Sequence, residues 1–220
     1  MYKIKNKKDD SDMTMIGKTD GPSAIGIIGK NTKLTLRQKL EKYRYKIKRA
    51  YVEHIIKTKS HNLDEVIEYI VNVHGFRELD NDEIRLERDE LRASFIMQYA
   101  PELLGEYSTM PRLKSESKED IEAHIKQFQE RHQRAKEVPV SEFDIDFHKF
   151  QISFGDINDN MYIIVEKRFA YIGGGVSGNK KQMRRFQRIF KDVHWYYGVT
   201  VEDIENKSKR YDQVIRALSH

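Results

Sequence analysis

Three groups of residues in this chain have types and spacings suited to chemistry. The first is Asp144, Asp146 and His148, which alternate with Phe143, Ile145 and Phe147. On a strand, where side chains alternate between faces, the three polar groups would share one face. Two carboxylates and an imidazole so arranged could bind a divalent cation, and Glu166 on the expected partner strand could join them. The apolar parity flips after His148, where Phe150, Ile152 and Phe154 take over. A bulge or an emerging strand end explains that flip without a metal, leaving a half-solvated strand face as the plainer alternative.

The second group is glycine-rich. Gly173, Gly175 and Gly178 match G-x-G-x-x-G, after a strand-like run and before a helix-like one. Backbone N–H groups at a helix N-terminus favour anions, and Lys180 and Lys181 would add charge. A dinucleotide fold needs a further strand carrying an acidic residue, but helical patterns follow here. Asn179 also stands where a P-loop would place its lysine. A strand-to-helix connection and an anion-binding loop remain as alternatives.

The third group is basic. Residues 35–59 carry nine Lys/Arg and two Asp/Glu, including Arg44, Lys46, Lys48 and Arg49, with Tyr45 among them. Lys180, Lys181, Arg184, Arg185, Arg188 and Lys191 lie largely on one face of the helix expected after the glycines. Basic faces with aromatics suit phosphate contact and base stacking; the competing reading is a charged face turned to water.

These groups need elements to position them. Thr35, with Gln38 three residues on, caps a first helix. Leu36, Leu40, Tyr43, Ile47, Ala50 and His54 recur at steps of four and three, which predicts one buried stripe. Asn62 and Glu65 start a second helix ending near His74-Gly75. A third spans about 82–100. Ser117 and Asp120 open a fourth, carrying Ile121, Ile125, Phe128, His132 and Ala135. Runs 143–154 and 161–172, separated by the turn cluster 156–160, predict a β-hairpin. A helix follows over about 179–197, and Thr200 caps the last one. The expected fold class is α+β, with helices on a small, mostly antiparallel sheet. The expected organisation is an N-terminal arm over 1–33 and one domain over 34–220.

Composition narrows the function classes. Of 220 residues, 38% are hydrophobic and 34% charged, and none is cysteine. That excludes disulfides and thiolate zinc sites. Mean hydropathy is −0.76, and no run approaches the roughly 20 apolar residues of a spanning helix, so membrane insertion is not expected. The charged first ten residues lack the apolar core of a signal peptide, and a cytoplasmic location is the default. The net charge of +5 hides an asymmetry: residues 1–59 hold sixteen Lys/Arg and six Asp/Glu, and the rest hold 24 and 29. The basic segment either packs on the acidic body or meets an anionic partner.

The run Met15-Ile16-Gly17-Lys18-Thr19-Asp20-Gly21-Pro22-Ser23-Ala24-Ile25 resembles the GGADGPT-type motif of the beta subunit of sodium-translocating, biotin-dependent decarboxylases. Gly17, Asp20, Gly21 and Pro22 match; Lys18, Thr19 and Ser23 depart from it. The resemblance implies a multi-spanning membrane protein whose Asp couples sodium and protons, or an accessory role in such a complex. The residues themselves suggest a turn between short strands at Met13–Ile16 and Ala24–Ile28, with Gly and Pro setting the backbone.

The sequence therefore points to a non-enzymatic binding module whose basic first helix engages nucleic acid or an acidic protein. No cofactor motif is complete. A small metal- or phosphate-dependent enzyme using the acids and glycines is the alternative.

Overall fold

The computed structural model describes residues 36–110, 115, 117–154 and 159–220. The expected arm over 1–33, with its turn at Asp20, Gly21 and Pro22, lies outside them. In chain order the elements are α1 (Leu36–Ile55), β1 (Lys59–Ser60), α2 (Leu63–Asn72), β2 (Arg77–Glu78), α3 (Asn81–Tyr99), a 3₁₀ segment (Pro101–Tyr107) and α4 (Lys118–Glu137). Then come β3 (Phe147–Ser153), β4 (Asn160–Glu166), β5 (Tyr171–Ser177), α5 (Lys180–Tyr197), β6 (Gly198–Val199), α6 (Val201–Asn206) and α7 (Lys209–Ser219). The fold is α+β.

Local chemistry sets the helix starts. Asn62 with Glu65, Asp80 with Glu83, Asn179 with Gln182 and Thr200 with Asp203 form reciprocal capping boxes at α2, α3, α5 and α6. Such a cap stabilises by about 1 kcal/mol. Ser117 caps α4 by accepting from Asp120 N. The expected last helix is two, because Lys207 turns left-handed (φ 48°) and Ser208 caps α7 anew.

The main sheet has the order β2-β3-β4-β5, all antiparallel. One face carries Phe150, Met161, Ile163, Val165 and Ile172, which pack with Ile70 of α2, Phe186 and Val193 of α5, and Val214 and Ile215 of α7. The opposite face turns Phe147, Ile164 and Tyr171 towards α3 and α4, where Ile84, Phe95, Ile96 and Ala135 form a second cluster. Fully burying one such Ile or Phe contributes about 1.5–3 kcal/mol, so the two clusters hold the layers together. Lys149 is buried on this second face. Its ammonium meets Glu87 at 2.6 Å and lies 4.6 Å from the centre of the Tyr162 ring.

The expected hairpin is present as β3 and β4, but its open end is shorter, with β3 starting at Phe147 and β4 ending at Glu166, and a third strand follows. Residues 167–170, expected inside a strand, form the tight turn from β4 to β5, with Ala170 at φ 54°. Glu166 fixes that turn. Its side chain is wholly buried, and its carboxylate accepts from the N–H groups of Asp146 (3.0 Å), Arg168 (3.1 Å) and Phe169 (2.7 Å).

A second, two-stranded ladder pairs β1 with β6, joining the α1–α2 connection to the end of α5. Gly198 sits there at φ +58°, and a Cβ would collide with the Lys59 carbonyl oxygen. Arg210 of α7 locks the ladder from behind, donating to the carbonyls of Gly198 (2.9 Å), His61 (2.8 Å) and Tyr197.

Candidate anion-binding surface

The first helix does not bury the stripe that its periodicity suggests. Leu36 is 85% exposed and Ile47 69%, and Leu40, Tyr43 and Tyr51 are exposed with them. The face turned to the body instead carries Tyr45, Arg49, Val52, Ile55 and Ile56, of which Val52 is buried and the others are half-buried. These pack against α7 and the first core cluster. The apolar stripe and the basic residues of the first turns therefore both point to solvent.

The four basic residues expected to bind anions divide into two pairs. Arg44 and Lys46 are exposed and form no ion pair among the described residues, as is also true of Lys39 and Lys42. Arg49 is part of the scaffold: it contacts Glu53 at 2.9 Å and Asp212 of α7 at 3.3 Å. Lys48 reaches the backbone carbonyl of His220 at 3.3 Å.

On α5, Lys180, Lys181, Arg184 and Arg188 are exposed, while Phe186, Ile189 and Val193 are buried. Lys191 is half-buried. Burial and then the positive charge of Lys48 hold its pKa below the usual lysine value. His220 is held low by burial first, then by Lys48, Lys191 and Arg216. Lys48 of α1 and Lys191 of α5 are thus within electrostatic reach of each other. Asp212 is engaged with Arg49 and, at 2.7 Å, with Arg216.

Spacings of four, three and four continue the α5 line from Arg184 through Arg188 and Lys191 to Trp195, which keeps them on one helix face. Trp195 is 46% exposed and has no hydrogen-bonding or ring partner among the described residues. Sequence reasoning passed over it, although its place four residues after Lys191 was a usable signal. Beside it lies a cleft of about 180 Å³ whose lining includes Lys57, Lys59, Tyr69, Asp192 and Tyr196. Tyr196 is stacked between His61 (3.9 Å) and Tyr69 (4.0 Å). Oδ2 of Asp192 accepts from the Tyr69 hydroxyl (2.7 Å) and lies 3.1 Å from His74 Nε2. Burial, then the hydrogen bond to Asp192, pushes the Tyr69 phenol up to about 12.

The glycines do not form a loop. Gly173 and Gly175 lie within β5, opposite Ile164 and Tyr162 of β4. They make room for rings: a Cβ on Gly173 would strike the Tyr171 hydroxyl, and one on Gly175 would lie 2.8 Å from the Tyr162 hydroxyl. Gly178 precedes α5 at φ +148°, but Asn179 Oδ1 already accepts from the N–H groups of Lys181 (2.9 Å) and Gln182 (3.2 Å). Of that expected site, Lys180 and Lys181 remain as exposed charges.

The acids are also divided. Strand β3 begins only at Phe147, so Asp144 and Asp146 precede it and do not share a strand face with His148. Asp144 binds Arg88 at 2.8 Å and the Ile145 N–H. Burial raises its pKa, but the Arg88 hydrogen bond and the other favourable contacts outweigh this and leave it lowered. Asp146 and Glu78 instead flank His148, at 3.1 and 2.7 Å, and Lys167 lies 3.8 Å from Asp146. Glu166 is spent on the backbone. Among the described residues no group of three or more acids and histidines is placed to hold a metal ion. A cleft of about 870 Å³ between the 3₁₀ segment and α4 includes neither these acids nor the glycines.

No helix among the described residues is long and apolar enough to cross a membrane. No family model, curated protein or solved structure matches the chain.

Proposed function

We propose that this protein is a non-enzymatic binding module for nucleic acid, holding the phosphate backbone on the ridge formed by α1 and α5. The observation that carries this is that α1 and α5 both leave cations exposed to solvent, with Lys48 and Lys191 within electrostatic reach of each other. Arg44, Lys46, Lys180, Lys181 and Arg184 extend the positive surface on both sides, exposed and free of ion pairs among the described residues. Contacts of this kind carry little base information, so binding is broad in sequence and weakens steeply with salt by counterion release.

The test is fluorescence anisotropy with labelled single- and double-stranded oligonucleotides at two salt concentrations, for wild type and for Arg44→Glu combined with Lys46→Glu. Wild type binds at low salt, and the double variant binds more weakly to all sequences with a shallower salt dependence. Absence of wild-type binding at low salt, or an unaffected double variant, refutes the proposal. The exposed Leu36–Tyr51 stripe makes anionic phospholipid vesicles the informative competitor, and binding to vesicles but not to oligonucleotides also refutes it.

A further inference from the structure

We infer that the cleft beside Trp195 receives one unpaired base of a bound single strand, which makes the surface a reader of single-stranded rather than duplex nucleic acid. This rests on the proposed nucleic-acid function and goes one step further, from the phosphates to a base. Proteins that hold single strands combine a positive track for the backbone with an aromatic face on which a base stacks. Both parts are present here in one line along α5.

Trp195 is the stacking surface. Tyr196 cannot serve, because His61 and Tyr69 already cover its two faces. That stack makes Tyr196 a rigid wall, and the neighbouring indole is left half in solvent with its N–H unpartnered among the described residues. The cleft, at about 180 Å³, is smaller than the roughly 300–1,000 Å³ pockets that enclose drug-sized molecules; it suits a single planar ring entering from one side.

The polar groups are placed for such a ring. Tyr69 and His74 orient Asp192 through Oδ2 alone, so Oδ1 is left to accept an N–H from the edge of a base. Every nucleobase offers a ring N–H or an amino group, so this contact orients a base without naming it. Lys57 and Lys59 at the rim have no ion-pair partners among the described residues, and Lys191 and Arg188 precede Trp195 on the same face. A strand running along α5 could therefore keep its phosphates on cations while one base turns inward. In a duplex the bases are stacked and paired, and none can reach Trp195 without being unpaired.

Trp195 is the chain's single tryptophan, so its fluorescence reports directly on this site. The full-length protein is titrated with a short single-stranded DNA and with a duplex of equal length, following both tryptophan emission and anisotropy of the labelled DNA. Variants are Trp195→Ala, Trp195→Phe and Lys57→Glu with Lys59→Glu. The expected result is quenching by the single strand and none by the duplex. Trp195→Ala loses about 5- to 150-fold in single-strand affinity, the worth of one stacked base, with duplex binding unchanged. Trp195→Phe recovers part of the loss, which shows that a ring rather than correct folding is at issue. The lysine double variant weakens single-strand binding as well. Salt-sensitive binding without quenching, with Trp195→Ala equal to wild type, overturns this inference and leaves the ridge standing. Equal quenching by duplex overturns the preference for unpaired bases. No binding of either DNA overturns both proposals.

Discussion

The ammonium of Lys191 on α5 is held within electrostatic reach of that of Lys48 on α1, and its pKa falls for that reason after burial has already lowered it. Packing of α1 and α5 on α7 maintains this unfavourable pairing. Replacing Lys191 with Met removes the repulsion and keeps the aliphatic stem. The variant is expected to be more stable than wild type by about 0.5–1 kcal/mol and to bind oligonucleotides less well. Urea denaturation alongside anisotropy reads both changes; a loss of stability would mean that Lys191 has a structural partner after all.

Arg49 is expected to separate from its helix neighbours. Its guanidinium joins Glu53 to Asp212 and so ties α1 to α7. Arg49→Glu places like charges at both contacts and is expected to cost about 1 kcal/mol or more, whereas Arg44→Glu and Lys46→Glu stay within about 0.5 kcal/mol each. Thermal melts of the three single variants in one buffer make the comparison.

Acid sensitivity should come in part from His194. The ring is buried, Nδ1 is bonded to the Phe190 carbonyl at 2.8 Å, and burial lowers its pKa to about 4 against the opposing effect of that bond. The unfolded chain, near 6.5, binds the proton more readily than the folded one. Stability from this group is therefore full above pH 6.5 and is lost as pH falls towards 4, at about 1.4 kcal/mol per pH unit at the steepest. His132 and His220 are lowered as well and add in the same direction. Urea midpoints measured from pH 7 downwards should fall, and His194→Gln, which does not titrate, should lose part of that slope.

The glycines should prove to be packing residues. Gly175→Ala pushes the Tyr162 ring off its seat and is expected to cost about 1–3 kcal/mol without changing anion binding. Gly198→Ala is expected to be worse, because it combines positive φ with a clash against a backbone carbonyl that has no rotamer to escape into. Equal stability of the two variants by denaturant titration would contradict this account of β1 and β6. A selective loss of oligonucleotide binding in Gly175→Ala would restore the glycine run as a ligand loop.

Much of the scaffold was legible because caps and periodicity are local. Asn62 with Glu65 and Ser117 with Asp120 mark helix starts whatever surrounds them, and alternating apolar residues announced β3 and β4. The orientation of α1 was not legible. Leu36, Leu40, Tyr43 and Ile47 make a cleaner stripe than Tyr45, Val52 and Ile56, yet the body meets the second. Periodicity identifies a face but not its neighbour. The Gly173–Gly175 run looked like a connection because strands seldom consist of glycine; only the rings of Tyr162 and Tyr171 lying across it explain a strand there. Asp144 and Asp146 kept the right parity for a shared face, but the strand starts after them, where Glu166 and Arg88 take the chain in other directions. The basic character of α1 and α5 could be read directly, but not that packing on α7 would bring Lys48 and Lys191 within electrostatic reach of each other.

One consequence of the way α1 is seated concerns distance. Residues 36–44 are all exposed, and at 1.5 Å per residue this free portion extends about 14 Å. Fields from exposed charges fade over about 8 Å at physiological ionic strength. Counted from half-buried Tyr45, Arg37 and Lys39 stand about 12 and 9 Å out along this spar of helix, beyond that screening length from the body that carries the net negative charge of residues 60–220, whereas Lys42 and Arg44 lie within it. An approaching polyanion would meet attraction at the tip of the spar before it met any repulsion from the trunk, and its capture would depend on helix length as much as on the number of charges. Moving the same cations down onto the globular surface would preserve the formal charge and lose that reach.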